Sequence, residues 1–116
     1  MRKAKKCLIA AFLCVGLYVN AFADTSTSNG YKVYTQNCTV CHDEDGTGLM
    51  PGVPDLNKSN DLHMRTVEQL VERIKQGSKN SDLPVVMPPK GGNPNLSDDD
   101  IRDVVIYMRK TFTDYR

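Results

Sequence analysis

The motif Cys38-Thr39-Val40-Cys41-His42 constrains this 116-residue chain more than any other feature of its sequence. It places two thiols three positions apart, with an imidazole directly after the second. The chain has four cysteines in all, and the other two lie near its start. Whatever the fold, it must accommodate this small cluster of sulfur and nitrogen atoms in one place.

The first 23 residues have the pattern of a cleavable secretory signal. The first six include four basic side chains and no acidic one, and the apolar run Cys7–Val19 follows. A small-residue pattern of the Ala-x-Ala type then ends at Ala23, as at signal cleavage sites. Because 13 apolar residues fall short of the ~20 that a membrane-spanning helix needs, the sequence predicts cleavage after Ala23. Residues 24–116 then form one exported domain without the two early cysteines, and an uncleaved membrane anchor is the alternative.

Composition excludes two broad classes once the signal is set aside. The remaining 93 residues carry 11 basic and 14 acidic side chains, a formal net charge of −3. A nucleic-acid-binding domain needs a strongly basic surface, and the hydrophobic content of the full 116-residue chain, 40%, is too high for a disordered protein. The composition therefore indicates one small, mildly acidic, folded domain.

Several kinds of site use a cysteine pair of this spacing, including a simple disulfide in an oxidising compartment. A structural zinc site needs four ligands, and outside the motif the predicted domain offers only His63 as a further candidate. A thioredoxin-type redox pair belongs in a βαβ unit, and no segment here alternates like a strand. Covalent attachment of haem uses both thiols and the adjacent imidazole. The sequence therefore predicts one haem c, bonded to Cys38 and Cys41, with His42 as an iron ligand.

Three helices are predicted, and no strand. The first runs from about Ser28 to the first cysteine of the motif, and Gly30 inside it indicates that another element crosses closely. The second begins at the N-cap Thr66 and ends at Gly77. The third begins at Ser97, followed by three aspartates that favour the positive end of the helix dipole. Apolar residues recur at helical spacing in the last two helices, at Val67, Leu70, Val71 and Ile74 and at Ile101, Val104, Val105 and Met108.

Two long stretches, 43–65 and 78–96, show no periodic pattern. Loops longer than about 15 residues are uncommon in compact domains unless they are functional, and a domain of this size has a small core. A flat apolar cofactor supplies a surface against which such loops can pack. The predicted fold is therefore all-α, with about three main helices and long loops wrapped around one covalently bound haem.

The second axial ligand of the iron determines whether the haem can bind other molecules. Met108 belongs to an apolar helix stripe and is predicted to lie in the core, whereas His63 is predicted to be a solvated loop residue. Met87 lies outside any helical pattern, and the neighbouring Pro88 and Pro89 restrict its backbone, which holds the thioether in place at low entropic cost. Met87 is therefore the predicted ligand. The full set of candidates comprises Met50, Met64, Met87, Met108 and His63.

Taken together, these residues resemble the class I c-type cytochromes over nearly all of residues 24–116. The cysteine motif matches, and so do Gly30 and Tyr34 of the first helix, the step Pro54–Leu56, and the last-helix segment Val104–Met108. The segment Met87–Gly91 is most similar to the small bacterial subgroup called cytochrome c-five. Members of that subgroup usually carry a second cysteine pair before the last helix, which this chain lacks.

The resemblance implies specific roles. His42 would bind iron through Nε2 while its Nδ1–H donates to the carbonyl of Pro54, Leu56 would pack on the haem face, and Gly30 would let the first helix approach the last. The implied function is one-electron transfer between redox proteins by a periplasmic carrier that is not an enzyme. The alternatives are a haem subunit of a larger oxidoreductase and, if Met87 is not a ligand, a ligand-binding or peroxidatic haem.

Charged residues near the predicted site are candidates for steering redox partners. Lys79 and Lys90 flank the Met87 segment and suit an acidic partner, whereas the acidic run Asp43–Asp45 follows the cysteine motif. Ordinary solvated loop charges are the alternative for both groups, since charges at the rim of an interface mainly tune the association rate.

Overall fold

The computed structural model describes residues 21–78, 82 and 84–113, with side chains from position 25 onward. Within this part the chain is helical and contains no strand, in agreement with the predicted all-α class. The α-helices are α1 (Ala21–Asn37), α2 (Thr39–His42), α3 (Asn60–Met64), α4 (Val67–Gln76) and α5 (Asp98–Thr113). Two 3₁₀ turns, Leu56–Lys58 and Pro89–Gly92, lie in the connecting segments.

Among the residues that the structure describes, none of the helices is both long enough and apolar enough to span a bilayer. The apolar run Cys7–Val19 of the predicted signal lies outside those residues.

Helices α1 and α5 form the most extensive helix pair of the fold. Where they cross, a Cβ on Gly30 would lie 2.6 Å from the Cβ of Tyr107 and even closer to the carbonyl oxygen of Asp103. Only glycine fits such an approach, as predicted from the sequence. Asn29 strengthens the crossing, because its Nδ2 donates to the carboxylates of Asp100 and Asp103 at 3.1 and 2.8 Å.

Aromatic rings fill the core on one side of this crossing. The ring of Tyr34, only 1% exposed, has its centroid 5.5 Å from that of Tyr107 and 5.4 Å from that of Phe112. Met108 is a core residue, as predicted. The buried residues of α5 are Ile101, Val104, Val105, Met108 and Phe112.

Helix α4 begins and ends where its sequence predicts. The Thr66 hydroxyl accepts the N–H of Gln69 at 3.2 Å, and the Gln69 side chain accepts the N–H of Thr66 at 2.9 Å. These reciprocal bonds satisfy two donors at the helix start. Gly77 ends the helix with a φ of 70°, a conformation that glycine adopts without strain. Leu70 and Val71 are buried and belong to the core that α5 shares.

Helix α1 is longer than predicted. Its expected start is near Ser28, but the helix begins at Ala21. Threonine and serine are weak helix formers, yet each costs no more than about 0.7 kcal/mol relative to alanine. The bonds of Asn29 to Asp100 and Asp103 of α5 hold the helical turn that begins directly after Ser28. Ser28 therefore lies inside α1 rather than at its N-cap.

The stretch after the cysteine motif, predicted to be irregular, contains a 3₁₀ turn and α3. The Ser59 hydroxyl accepts the N–H of Leu62 at 3.3 Å, and Leu62 is buried in the core. Arg109 of α5 donates to the carbonyl oxygens of Leu62 and Arg65 at the end of this helix. Five residues are too few to show an apolar period, which explains why the sequence pattern missed α3. His63 is consequently a half-buried helical residue, and its prediction as a solvated loop residue is wrong.

Candidate haem-binding site

Helix α2 is a single turn that brings the cysteine motif together. The N–H groups of Cys41 and His42 bond to the carbonyl oxygen of Cys38 at 3.2 and 2.9 Å, which closes the turn. Residues three apart on a helical turn share a face, so the two thiols lie on the same side of α2. Both cysteines are free rather than joined in a disulfide. Val40 between them is 71% exposed.

Tyr34 of α1 fixes the exit of the chain from α2. Its hydroxyl donates to the carbonyl oxygen of Asp43 at 2.7 Å, and Asp43 has a φ of 66°, which is unusual for a residue other than glycine. Burial, followed by the neighbouring Cys38 thiol, raises the pKa of Tyr34 above its usual value. The hydroxyl therefore stays protonated and available as a donor.

We expect Tyr34→Phe to lower the free energy of unfolding by about 1 kcal/mol, because the Asp43 carbonyl loses its buried donor while the ring stays in place. Denaturant titration of the haem-loaded protein measures the change. Tyr31→Phe is the matched control, since Tyr31 is 57% exposed and its loss of a hydroxyl should stay within about 0.5 kcal/mol. Equal effects of the two substitutions would argue against a structural role for the Tyr34 hydroxyl.

His42 is partly buried next to the backbone of Pro54. Burial lowers the pKa of the imidazole, and the Pro54 backbone partly opposes this. Because proline has no N–H, the group that acts on the ring is the carbonyl oxygen of Pro54. Nδ1 of His42 is buried and makes no hydrogen bond of standard geometry, so this oxygen lies near the ring without full alignment. The donation from Nδ1–H to Pro54 stays a prediction, and the lowered pKa favours the neutral imidazole that binds metals.

The thiol of Cys38 lies in an apolar environment. Burial, with a smaller contribution from Cys41, raises the pKa of Cys38 to about 11. A thiol with a raised pKa is a poor redox nucleophile and a poor ligand for a bare metal ion, whereas a thioether carries no charge and suits such a place. Within the described ranges, no three side chains of His, Cys, Asp or Glu gather into a set that could hold a metal ion. The cysteines and the neutral imidazole of His42 therefore fit a covalently attached haem.

The loop after α2 folds back toward the cysteine motif and is closed by backbone hydrogen bonds. The N–H of Gly48 bonds to the carbonyl of His42 at 3.0 Å, and the N–H of Leu56 bonds to the carbonyl of Gly46 at 2.8 Å. Leu56 is buried in the core cluster. The structure thus brings three of the predicted site residues, His42, Pro54 and Leu56, into one folded loop.

Met87 lies half-buried in the segment between α4 and α5. Its carbonyl oxygen accepts the N–H of Ser78 at 2.8 Å, and a Cβ on Gly77 would lie 2.5 Å from that oxygen. The same segment reaches the loop of the cysteine motif, because a Cβ on Gly52 would lie 3.0 Å from Cγ of Pro84. The Met87 segment is therefore packed against the loop that follows His42.

The other methionines among the described residues occupy different environments. Met108 is 8% exposed in the core, whereas Met50 and Met64 are 41% and 83% exposed. Met87 is the one that combines partial burial with a position in a loop that contacts the motif loop.

Lys90 is not a free surface charge. Its ammonium group donates to the carbonyl oxygens of Leu96 at 2.9 Å and Pro94 at 3.4 Å. These bonds close the loop that follows Met87, so this candidate for steering a partner is neither a free steering charge nor an ordinary solvated one, and it has a structural role. Lys79, the other predicted steering residue, lies outside the described residues.

Comparison with known proteins identifies the family. The family model described as cytochrome C oxidase, cbb3-type, subunit III matches residues 25–108. Cytochrome c-555 of Prosthecochloris aestuarii is 34% identical over 91 residues, which cover 70% of this chain and 83% of the relative. The chain belongs to the c-type cytochromes. A second relative, a cytochrome c6 of Pyropia yezoensis, is 31% identical to this cytochrome over 103 residues. The match covers 86% of this cytochrome and 84% of the relative.

A solved structure supports the fold of this c-type cytochrome. The crystal structure of the c-type cytochrome XoxG from Methylobacterium extorquens AM1 superimposes with a TM-score of 0.59 at 30% identity. The match covers 76% of this chain and 51% of that one, so this cytochrome spans about half the length of XoxG. The predicted class I family and cytochrome c fold are confirmed, and so is the cofactor, a covalent haem c for which Cys38 and Cys41 have the attachment spacing. The protein is an electron carrier and not an enzyme.

Proposed function

We propose that this cytochrome carries single electrons between redox proteins of the periplasm, with haem attached through Cys38 and Cys41 and bound by His42 and Met87. The observation that supports this most directly is the contact of Pro84 with Gly52, which packs the Met87 segment against the loop that follows the cysteine motif. Bound haem would supply an iron that accepts and releases one electron.

In this proposal the protein positions the iron ligands, sets the polarity around the haem and keeps other ligands away from the iron. Neutral His42 would hold the iron through its imidazole, and the carbonyl of Pro54 would orient its ring. The Met87 thioether would be the second iron ligand and would favour ferrous iron, which raises the reduction potential. Leu56, which is buried in the core, would pack on the haem face and keep water away. With both residues bound, the iron would have no free position for dioxygen or peroxide.

Export is part of the same proposal. The signal-like pattern of residues 1–23 supports cleavage after Ala23 and a working domain of residues 24–116. The mass of the protein purified from periplasmic extract tests this directly. A polypeptide that begins at Asp24 and carries the additional mass of one haem is expected, and an intact N-terminus would contradict the cleavage.

A second candidate is a haem subunit of a larger oxidoreductase, and the description of the matching family as an oxidase subunit favours it. Its electron-transfer chemistry would be the same. Purification at native expression levels distinguishes the two, because a free carrier elutes alone at the size of a small protein whereas a subunit elutes with its complex.

Met87→Ala tests the axial ligation. We expect the variant to keep its haem but lose the weak red charge-transfer band that ferric iron shows when bound to sulfur, and to bind carbon monoxide rapidly when reduced. Absorption spectra and stopped-flow mixing measure both properties. The matched control is Met64→Ala, which removes an exposed thioether and should change neither property. Persistence of the band in Met87→Ala would exclude Met87 as the ligand, and rapid carbon monoxide binding by the unmodified protein would favour a ligand-binding haem.

A further inference from the structure

One pair of amides joins the segment after Met87 to the helix before the cysteine motif. Nδ2 of Asn93 donates to Oδ1 of Asn37 at 2.9 Å, and both side chains are half-buried. Asn37 is the last residue of α1 and directly precedes Cys38. The pair therefore connects the turn that carries the haem thiols with the segment that carries the proposed sulfur ligand.

Each amide of the pair is oriented by a second hydrogen bond. Nδ2 of Asn37 donates to the carbonyl oxygen of Val33 at 2.8 Å, which leaves its Oδ1 facing Asn93. Oδ1 of Asn93 accepts the N–H of Asn95 at 3.0 Å, which leaves its Nδ2 facing Asn37. The donor and acceptor roles in the pair are thus fixed by the surrounding backbone rather than interchangeable.

The segment between Met87 and Asn93 is short and internally bonded. Asn93 lies six positions after Met87, and two of the five residues between them are prolines that restrict the backbone. The N–H of Gly91 bonds to the carbonyl of Pro88 at 3.1 Å, and the N–H of Asn93 bonds to that of Lys90 at 3.2 Å. A restraint on Asn93 is therefore transmitted to Met87, whose own carbonyl is held on the other side by Ser78.

We propose that the Asn37–Asn93 pair positions Met87 for iron binding and limits how easily its thioether is replaced by an external ligand. The inference rests on the proposed ligation by His42 and Met87. The side-chain hydrogen bonds of Asn37 and Asn93 go to each other, to Val33 and to Asn95, so the pair acts on Met87 through the segment between them. A neutral side-chain hydrogen bond shifts an equilibrium by roughly two- to tenfold, so breaking the pair should accelerate ligand replacement by about this factor.

Carbon monoxide binding to the reduced, haem-loaded protein measures the effect. Asn37→Ala and Asn93→Ala each lose the hydrogen bond that joins the pair. Each also loses one further bond, which differs between the two variants. We expect each variant to bind carbon monoxide roughly two- to tenfold faster and to show a weaker ferric sulfur band, with unchanged haem content and helical circular dichroism. The double variant should be no faster than the faster single variant, because one interaction is lost in both. Asn95→Ala is the matched control, since it removes a nearby exposed amide but keeps the backbone N–H that orients Asn93.

The possible outcomes separate this inference from the proposed function. If the unmodified protein shows the sulfur band but neither single variant binds carbon monoxide faster, the positioning role is overturned and the ligation stands. Additive effects in the double variant would also overturn it, because the two amides would then act separately. An unmodified protein without the sulfur band overturns both proposals. Should Asn93→Ala not fold, Asn93→Asp replaces it, since the carboxylate keeps the acceptor for Asn95, removes the donor to Asn37 and adds a negative charge that repels Oδ1 of Asn37. The same acceleration is then expected, and an unchanged rate overturns the role.

Discussion

Phe112→Ala is expected to lower the free energy of unfolding by about 3–5 kcal/mol, the usual cost of removing a buried aromatic ring. Phe112 is 4% exposed, and its ring packs against Tyr34 and Tyr107. A Cβ on Gly46 would lie 2.8 Å from Cε1 of Phe112, so the ring also supports the loop that follows His42. Denaturant unfolding, followed by both haem absorbance and circular dichroism, measures the loss.

Phe112→Leu is the control for the size of the cavity. Leucine keeps much of the apolar volume, so its cost should be clearly smaller than that of alanine. If the Phe112→Ala variant were as stable as the unmodified protein to within about 1 kcal/mol, the packing of this α5 ring against the motif loop would be refuted.

Gly30→Ala has the second large expected effect, a loss of about 1–3 kcal/mol through overpacking at the α1–α5 crossing. The new methyl group would collide with the Asp103 carbonyl and with Cβ of Tyr107. Alanine is better than glycine inside a helix by up to about 1 kcal/mol, which offsets only part of this cost. Thermal unfolding of the haem-loaded protein measures the difference.

The control for Gly30→Ala is Ser28→Ala, two residues earlier in the same helix and exposed. Here alanine meets no obstruction and should raise stability slightly, by a few tenths of a kcal/mol. A stabilising effect at both positions would mean that the helices do not approach as closely as the structure shows.

Features with a local physical cause were predictable from the sequence. The cap formed by Thr66 and Gln69 depends on residues three apart, and the apolar stripe of α5 depends on helical period. Gly30 was predictable because glycine inside a helix is costly unless a neighbour requires it. Phe112 was missed although a signal existed, since it continues the stripe of α5 four residues beyond Met108.

Features that depend on distant side chains were not predictable. Nothing near Asn37 in the sequence indicates Asn93, and nothing near Arg109 indicates the end of α3. Lys90 shows the same limit, because a lysine in a polar loop is ordinarily solvated and only the folded loop places carbonyl groups around its ammonium. The cysteine motif is the exception within the site, since its chemistry requires a fixed local spacing.

The crossing of α1 and α5 also bears on the order of events during synthesis. Gly30 meets Asp103 and Tyr107, residues more than 70 positions later in the chain, so this contact cannot form until almost the whole polypeptide exists. Contacts of such long sequence separation form late, because the entropy cost of closing a long loop comes before the contact can stabilise the fold. The thiols of Cys38 and Cys41 therefore stay accessible to haem while the chain is incomplete and the core has not closed.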